Sequence, residues 1–225
     1  MKKGWILLLM VGFFLVAGFL SGVFAAETGK SSASATSLKG SQTEKNLLAA
    51  FAGESQARNR YTYYADAAKE EGLEQIAAVF LETADNEKEH AMIFFKLLQG
   101  GDIAIAAAYP SHFSEQTLPN LEAAAAGERA EWTMIYQNFA QVAKDEGFGD
   151  VATAFTEVAK VEKWHEKRYR ALIDNVQGNK VFQKDQVVTW HCRNCGYVLQ
   201  GKAAPMFCPA CKVPQGYFEL LAENY

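Results

Sequence analysis

Hydrophobic and polar positions divide this chain into three stretches of different character. The first is an uncharged apolar run, Gly4 to Ala26, behind Lys2 and Lys3 and closing on Val23-Phe24-Ala25. That layout is expected of a signal peptide over residues 1–25, cleaved after Ala25. The run is also long enough to span a bilayer as an uncleaved anchor. Residues 26–40, rich in Ser, Thr, Ala and Gly, read as a flexible tether. The bulk of the chain is therefore expected outside the cytoplasmic membrane, exported and periplasmic. With no Arg-Arg pair in the leader, export in the unfolded state is the expected route.

From Thr43 the pattern turns helical. Helices are expected over Thr43–Glu71, Leu73–Leu98, Leu121–Glu146 and Asp150–Val176, with Gly72, Gly100-Gly101, Gly147 and Gly178 where they should stop. Residues 101–120, with Pro110 and Pro119, form the one long connection. Four helices joined by short, long and short links suit a bundle with a single crossover over residues 41–180. The bundle also repeats itself. Ala68-Lys69-Glu70-Glu71-Gly72 recurs as Ala143-Lys144-Asp145-Glu146-Gly147, and the same offset carries Tyr61 to Tyr136, Phe80 to Phe155, Glu87 to Glu162 and His90 to His165. Two helix pairs look like copies of one.

The third stretch, 187–225, has short apolar segments at Val187–Trp190 and Gly216–Leu220 around four cysteines. They read as strands. A unit this small buries little core and needs a staple.

Candidate chemistry follows from the repeat. Glu87 with His90, and Glu162 with His165, stand three apart, which puts a carboxylate and an imidazole on one helix face. A lone Glu-x-x-His is weak, because helical glutamates are normally solvated. Here it occurs twice at matching places. Each other helix offers one glutamate among small residues, Glu54 after Gly53 and Glu128 after Gly127. One Glu from each of two helices plus Glu-x-x-His from each of the others is the ligand set of di-iron bundles. Glu89 and Glu166 fit a solvated face better. His112 and His191 fit surface or packing roles.

Cys192-Arg193-Asn194-Cys195 and Cys208-Pro209-Ala210-Cys211 form two Cys-x-x-Cys hairpins, the spacing of a tetrahedral sulfur site. In an exported chain the competing reading is two disulfides. Iron and zinc both suit four sulfurs. The formal net charge of -4 and the lack of a basic run argue against a nucleic-acid partner.

The segment Phe51-Ala52-Gly53-Glu54-Ser55-Gln56-Ala57-Arg58-Asn59-Arg60-Tyr61 resembles the first helix motif of rubrerythrins, and Ala126-Gly127-Glu128-x-x-Glu131 their third. The Cys-x-x-Cys-Gly-Tyr and Cys-Pro-x-Cys wording is similar to rubredoxin. The resemblance covers about Leu38 to Tyr225. It implies a mainly α protein, a ferritin-like four-helix bundle followed by a small β rubredoxin-like domain. It implies two non-haem irons held by Glu54, Glu87, His90, Glu128, Glu131, Glu162 and His165, and one iron, rather than zinc, at Cys192, Cys195, Cys208 and Cys211. In the family Glu131 is the added carboxylate that one iron exchanges for His, and Tyr61 and Tyr136 match tyrosines that hydrogen-bond site carboxylates. The expected function is a peroxidase reducing hydrogen peroxide, with catalytic Glu54, Glu87, Glu128, Glu131, Glu162, Tyr61 and Tyr136, supplied through the sulfur iron of a homodimer. The donor is an unidentified redox carrier, expected in the periplasm. A ferroxidase or iron-sequestering ferritin-like role and a zinc-ribbon module on a helical stalk are the rivals.

Overall fold

The computed structural model describes residues 37–224. The expected signal segment and residues 26–36 of the expected tether lie outside the described residues. Helix α1 spans Gln42–Glu70 and α2 Glu74–Leu97; α3 spans Thr117–Ala130, α4 Tyr136–Asp145 and α5 Gly149–Gln177. Helix α1 packs along α2, and α3 and α4 pack along α5. The fold is mainly helical with a small C-terminal antiparallel sheet, as the sequence implied. Among the described residues, no helix is long and apolar enough to cross a membrane.

The expected third helix, Leu121–Glu146, is interrupted. Between α3 and α4 lies a π-helical turn, Glu131–Ile135. The repeat explains it. Ahead of the turn the copies stand 74 positions apart, Glu54 against Glu128; beyond it they stand 75 apart, Tyr61 against Tyr136. A π turn is how a helix absorbs one extra residue without breaking. Glu128 and Tyr136 can then both keep the placement of their counterparts, while Glu131 appears at the head of the inserted turn.

The duplicated Glu-Gly ends have a structural use. Gly72 (φ +70°) and Gly147 (φ +88°) adopt the left-handed conformation that ends α1 and α4. The preceding glutamates each cap the start of another helix. Glu71 Oε2 accepts from the Thr117 N–H at 2.5 Å, and Glu146 Oε2 accepts from the N–H and hydroxyl of Thr43 at 2.8 and 2.6 Å. Negative charge and acceptors at a helix N-terminus satisfy donors that have no intrahelical partner. Each helix pair thus locks onto the other by the same device.

Aromatic residues fill the bundle on either side of its midpoint. Tyr61, Tyr64, Phe80 and Tyr169 pack together at one end. Phe94, Tyr136, Phe139 and Phe155 pack at the other. The counterpart pairs Tyr61–Phe80 and Tyr136–Phe155 have ring centroids 6.2 and 5.7 Å apart. Carboxylates occupy the layer between these clusters.

Strand β1, Gln183–Cys192, begins ahead of the expected Val187. It is central between β2, Val198–Ala203, and β3, Phe218–Leu220, and antiparallel to both. Trp190 and Phe218 form the small core with Cys192 and Cys208. This unit abuts the α1–α2 turn. The backbone at Gly216 approaches the Gly72 carbonyl so closely that no side chain would fit, so two glycines form the seam between bundle and sheet.

Candidate metal centres

Six buried side chains converge in the middle of the bundle: Glu54 from α1, Glu87 and His90 from α2, Glu128 from α3, and Glu162 and His165 from α5. His90 Nδ1 lies 2.9 Å from both Glu87 Oε2 and Glu162 Oε1. His165 Nδ1 lies 2.8 Å from Glu162 Oε2, 3.2 Å from Glu87 Oε1 and 3.6 Å from Glu128 Oε2. Glu54 Oε1 stands 4.0 Å from His90 Nδ1. Two donor sets result, Glu54-Glu87-His90-Glu162 and Glu87-Glu128-Glu162-His165, each with its ligand atoms within 4.8 Å of one another. They share Glu87 and Glu162, as expected of bridging carboxylates.

The set fits two cations. Glu54 Oε2, Glu87 Oε1, Glu128 Oε2, both oxygens of Glu162 and His165 Nδ1 are buried without a hydrogen-bond partner. Buried carboxylates cost several kcal/mol apiece unless paired or metal-bound. Atoms so near one another, yet lacking hydrogen-bond geometry, are aimed at common points between them.

The electrostatics agree. Burial, reinforced by Glu87, raises Glu54 well above the usual carboxylate range and Glu128 to about 8. Burial also opposes charge on Glu162, but contacts from His165 and His90 outweigh it and bring Glu162 to about 2. The imidazoles respond in kind: against the pull of burial, neighbouring carboxylates push His90 to about 9 and His165 to about 12. Without metal, protons take the place of cations. Iron(II) loading at pH 7 should therefore release at least about two protons per chain, those of His90 and His165, with Glu128 and Glu54 adding to the count. A pH-stat titration checks this, and affinity should fall as pH is lowered.

Tyr61 donates its hydroxyl proton to Glu128 Oε1, and Tyr136 to Glu54 Oε1. Each tyrosine holds the single carboxylate contributed by the other helix pair. Asn86 was not singled out from the sequence; its Oδ1 lies 3.2 Å from His165 Nε2, which keeps Nδ1 turned toward the carboxylates. Glu131 stands outside both tight sets. Half-buried, with burial and then Glu128 raising its carboxyl well above the usual range, it lines a groove of about 670 Å³ that also reaches Tyr136. Ala49, Ala50, Gly53, Gly127 and Ala130 supply small walls for this approach.

Glu89 is exposed, as expected. Glu166 corrects the sequence reading. It is only 7% exposed, because Trp132 Nε1 donates to its Oε2 at 2.7 Å and Arg170 reaches its Oε1 at 3.3 Å. His112 is exposed and His191 contacts Glu219; neither belongs to a donor set.

The cysteines form the second centre. Cys192 and Cys211 Sγ are 3.8 Å apart, Cys195 and Cys208 Sγ 3.7 Å, and all four lie within 4.8 Å of one another. A tetrahedron of sulfurs about 2.3 Å from a central metal has edges near ~3.8 Å; a disulfide would need about 2.05 Å. The hairpins match in backbone as well. Cys192 O accepts from Gly196 N at 2.9 Å and Cys208 O from Lys212 N at 3.0 Å. Gly196 and Lys212 both take positive φ, +78° and +65°.

Two overlapping carboxylate–histidine sets inside a helical bundle, followed by a four-sulfur site, define a di-iron carboxylate protein with its own one-iron sulfur centre. The rubrerythrin family model matches residues 45–173 and again 119–189, and that of the rubredoxin-like domain of rubrerythrins matches 190–219. A rubrerythrin of Porphyromonas gingivalis is 55% identical over 189 residues, covering 84% of this chain and 94% of its own. That of Nitratidesulfovibrio vulgaris is 51% identical over 189 residues, covering 84% and 99%. Fully reduced, all-ferrous nigerythrin superposes with a TM-score of 0.55 at 33% identity, covering 84% of this chain and 91% of that one. The chain belongs to the rubrerythrin family, with that family's di-iron site and rubredoxin-like four-cysteine site.

Proposed function

We propose that this oxidoreductase is a peroxidase that reduces hydrogen peroxide to water in oxidative-stress defence, using electrons delivered through the four-cysteine iron. The observation that carries this reading is the pair of donor sets sharing Glu87 and Glu162, present in one chain with a sulfur site suited to one-electron transfer. Hydrogen peroxide, two electrons and two protons give two waters. Bound as ferrous ions, the iron pair supplies both electrons and Lewis acidity. The chain supplies the rest. Glu87 and Glu162 would bridge; Glu54 with His90, and Glu128 with His165, would complete the two ends. Tyr61 and Tyr136 each fix one oxygen, of Glu128 and Glu54 respectively. Glu131 offers a further carboxylate from the groove side, where small residues leave a path for a small oxidant.

A homodimer is part of the proposal. Within one chain the sheet meets the bundle at the α1–α2 turn, and Glu87 lies about 20 Å further along α2 from Glu74 at 1.5 Å per residue. A partner's sulfur centre would offer a shorter route. Iron storage alone gives the four-cysteine site no task, which disfavours the ferritin-like reading. The test is peroxide consumption by chemically reduced protein of known iron content; a protein holding two bundle irons that reduces no peroxide would overturn the assignment. We also propose export to the periplasm and a periplasmic redox carrier as donor. Fractionation should recover the chain outside the cytoplasm, beginning near Ala26 if cleaved. Cytoplasmic material beginning at Met1 would refute export.

A further inference from the structure

One side of the bundle carries two indoles that the chemistry above does not use. Trp132 directly follows Glu131, and Trp164 directly precedes His165. Trp132 Nε1 hydrogen-bonds Glu166 at 2.7 Å, and Glu166 is the residue after His165. Trp164 is 54% exposed. A shallow groove of about 360 Å³ runs between the indoles, lined also by Lys160, Lys163 and Lys167.

Two of the cations here cover aromatic rings instead of acids. Lys163 Nζ lies 5.0 Å from the Trp132 ring centroid and Lys167 Nζ 4.8 Å from that of Trp164. Such contacts orient an ammonium without neutralising it. Arg129 and Arg170 share the single carboxylate of Glu166, and Lys160 pairs with Glu157. Lys160, Lys163, Lys167 and Arg170 recur three or four apart, which keeps them on one exposed face of α5. The result is a basic island, with indoles at its centre, on a chain of formal net charge -4.

We propose that this face docks the acidic surface of a reduced one-electron carrier protein, and that Trp132 is the route by which its electron reaches the bundle site without passing through the four-cysteine centre. The inference rests on the redox reading of that site. Each encounter oxidises the carrier by one electron, and two encounters supply the pair that one peroxide consumes; no bond forms or breaks along the way. A local patch opposite in sign to the rest of the molecule steers and orients a complementary partner. The route from the surface is short, an indole hydrogen-bonded to the neighbour of one proposed ligand and covalently next to another.

The test uses a plant-type two-iron ferredoxin as an acidic one-electron probe with the iron-loaded full chain. Titration calorimetry should show binding at low ionic strength that weakens steeply with salt. A Lys163→Glu/Lys167→Glu double variant, its iron content and helicity verified, should bind at least about tenfold more weakly. Lys202→Glu/Lys212→Glu should bind as the parent does. Trp132→Phe in a Cys208→Ser background should keep the affinity but slow re-reduction of the bundle by reduced ferredoxin. Equal affinity for the Lys163/Lys167 variant, or loss of binding in the Lys202/Lys212 variant, would overturn the docking surface. An unchanged rate in Trp132→Phe would overturn the route. Because binding is read without peroxide, failure of the peroxidase reading and failure of this one are separable.

Discussion

Glu87→Ala should leave a folded bundle that cannot hold a working iron pair, and peroxide reduction should vanish. Glu87 supplies one oxygen beside each histidine, Oε2 at 2.9 Å from His90 and Oε1 at 3.2 Å from His165, and it belongs to both donor sets. Removing it takes an anionic bridge from between two cations, and the remaining ligands cannot supply the missing charge. Loss of a residue that merely orients a ligand costs about 10- to 100-fold in metal affinity, so loss of a shared ligand should exceed that. The metal-free fold should not suffer equally, since Glu87 is one of several crowded buried carboxylates, and deleting one relieves repulsion. Unchanged helicity beside lost bundle iron separates a ligand effect from unfolding. The sulfur site, all of whose donors lie beyond residue 190, should keep its metal and colour. Two tightly held bundle irons in this variant would remove Glu87 from the bridging role.

The site was legible because duplication wrote it twice. Each Glu-x-x-His is ambiguous alone, and only its recurrence at one offset makes the pair a constellation. Glu54 carried a further signal. It falls in the apolar stripe of Leu47, Ala50, Ala57 and Tyr61, where a solvated glutamate has no place. The π turn is audible in the numbering, since the offset slips by one between Glu128 and Tyr136; a helix pattern read by its period alone passes over it. Glu166 was misread for the opposite reason. Its burial depends on Trp132, 34 residues away, and on Arg129 on another helix, neither of which local spacing reveals. The same holds for Asn86, whose partner His165 lies on another helix. Strand β2, Val198–Ala203, reads only weakly as a strand because it carries Gly201 and exposes most of its side chains; its pairing with β1 forms it.

Cys208→Ser should produce the complementary defect. Cys208 is fully buried in the core of the sheet domain, its Sγ 3.7 Å from Cys195 Sγ, and its carbonyl accepts from Lys212 N to close the second hairpin. Serine places a harder oxygen on a shorter bond where a soft thiolate is required, which weakens or empties a four-sulfur iron site. The bundle should remain folded and iron-loaded, because its donors come from α1, α2, α3 and α5. Chemically reduced Cys208→Ser protein should therefore consume about one equivalent of peroxide in a single turnover, as two electrons held by the bundle pair allow. It should then stall when electrons are offered only by a donor that delivers to the C-terminal domain. Stopped-flow measurement of the first turnover, beside steady-state consumption with that donor, reads both halves. A normal steady-state rate would mean that electrons do not pass through the four-cysteine centre, and its role would then be to hold the small sheet domain together.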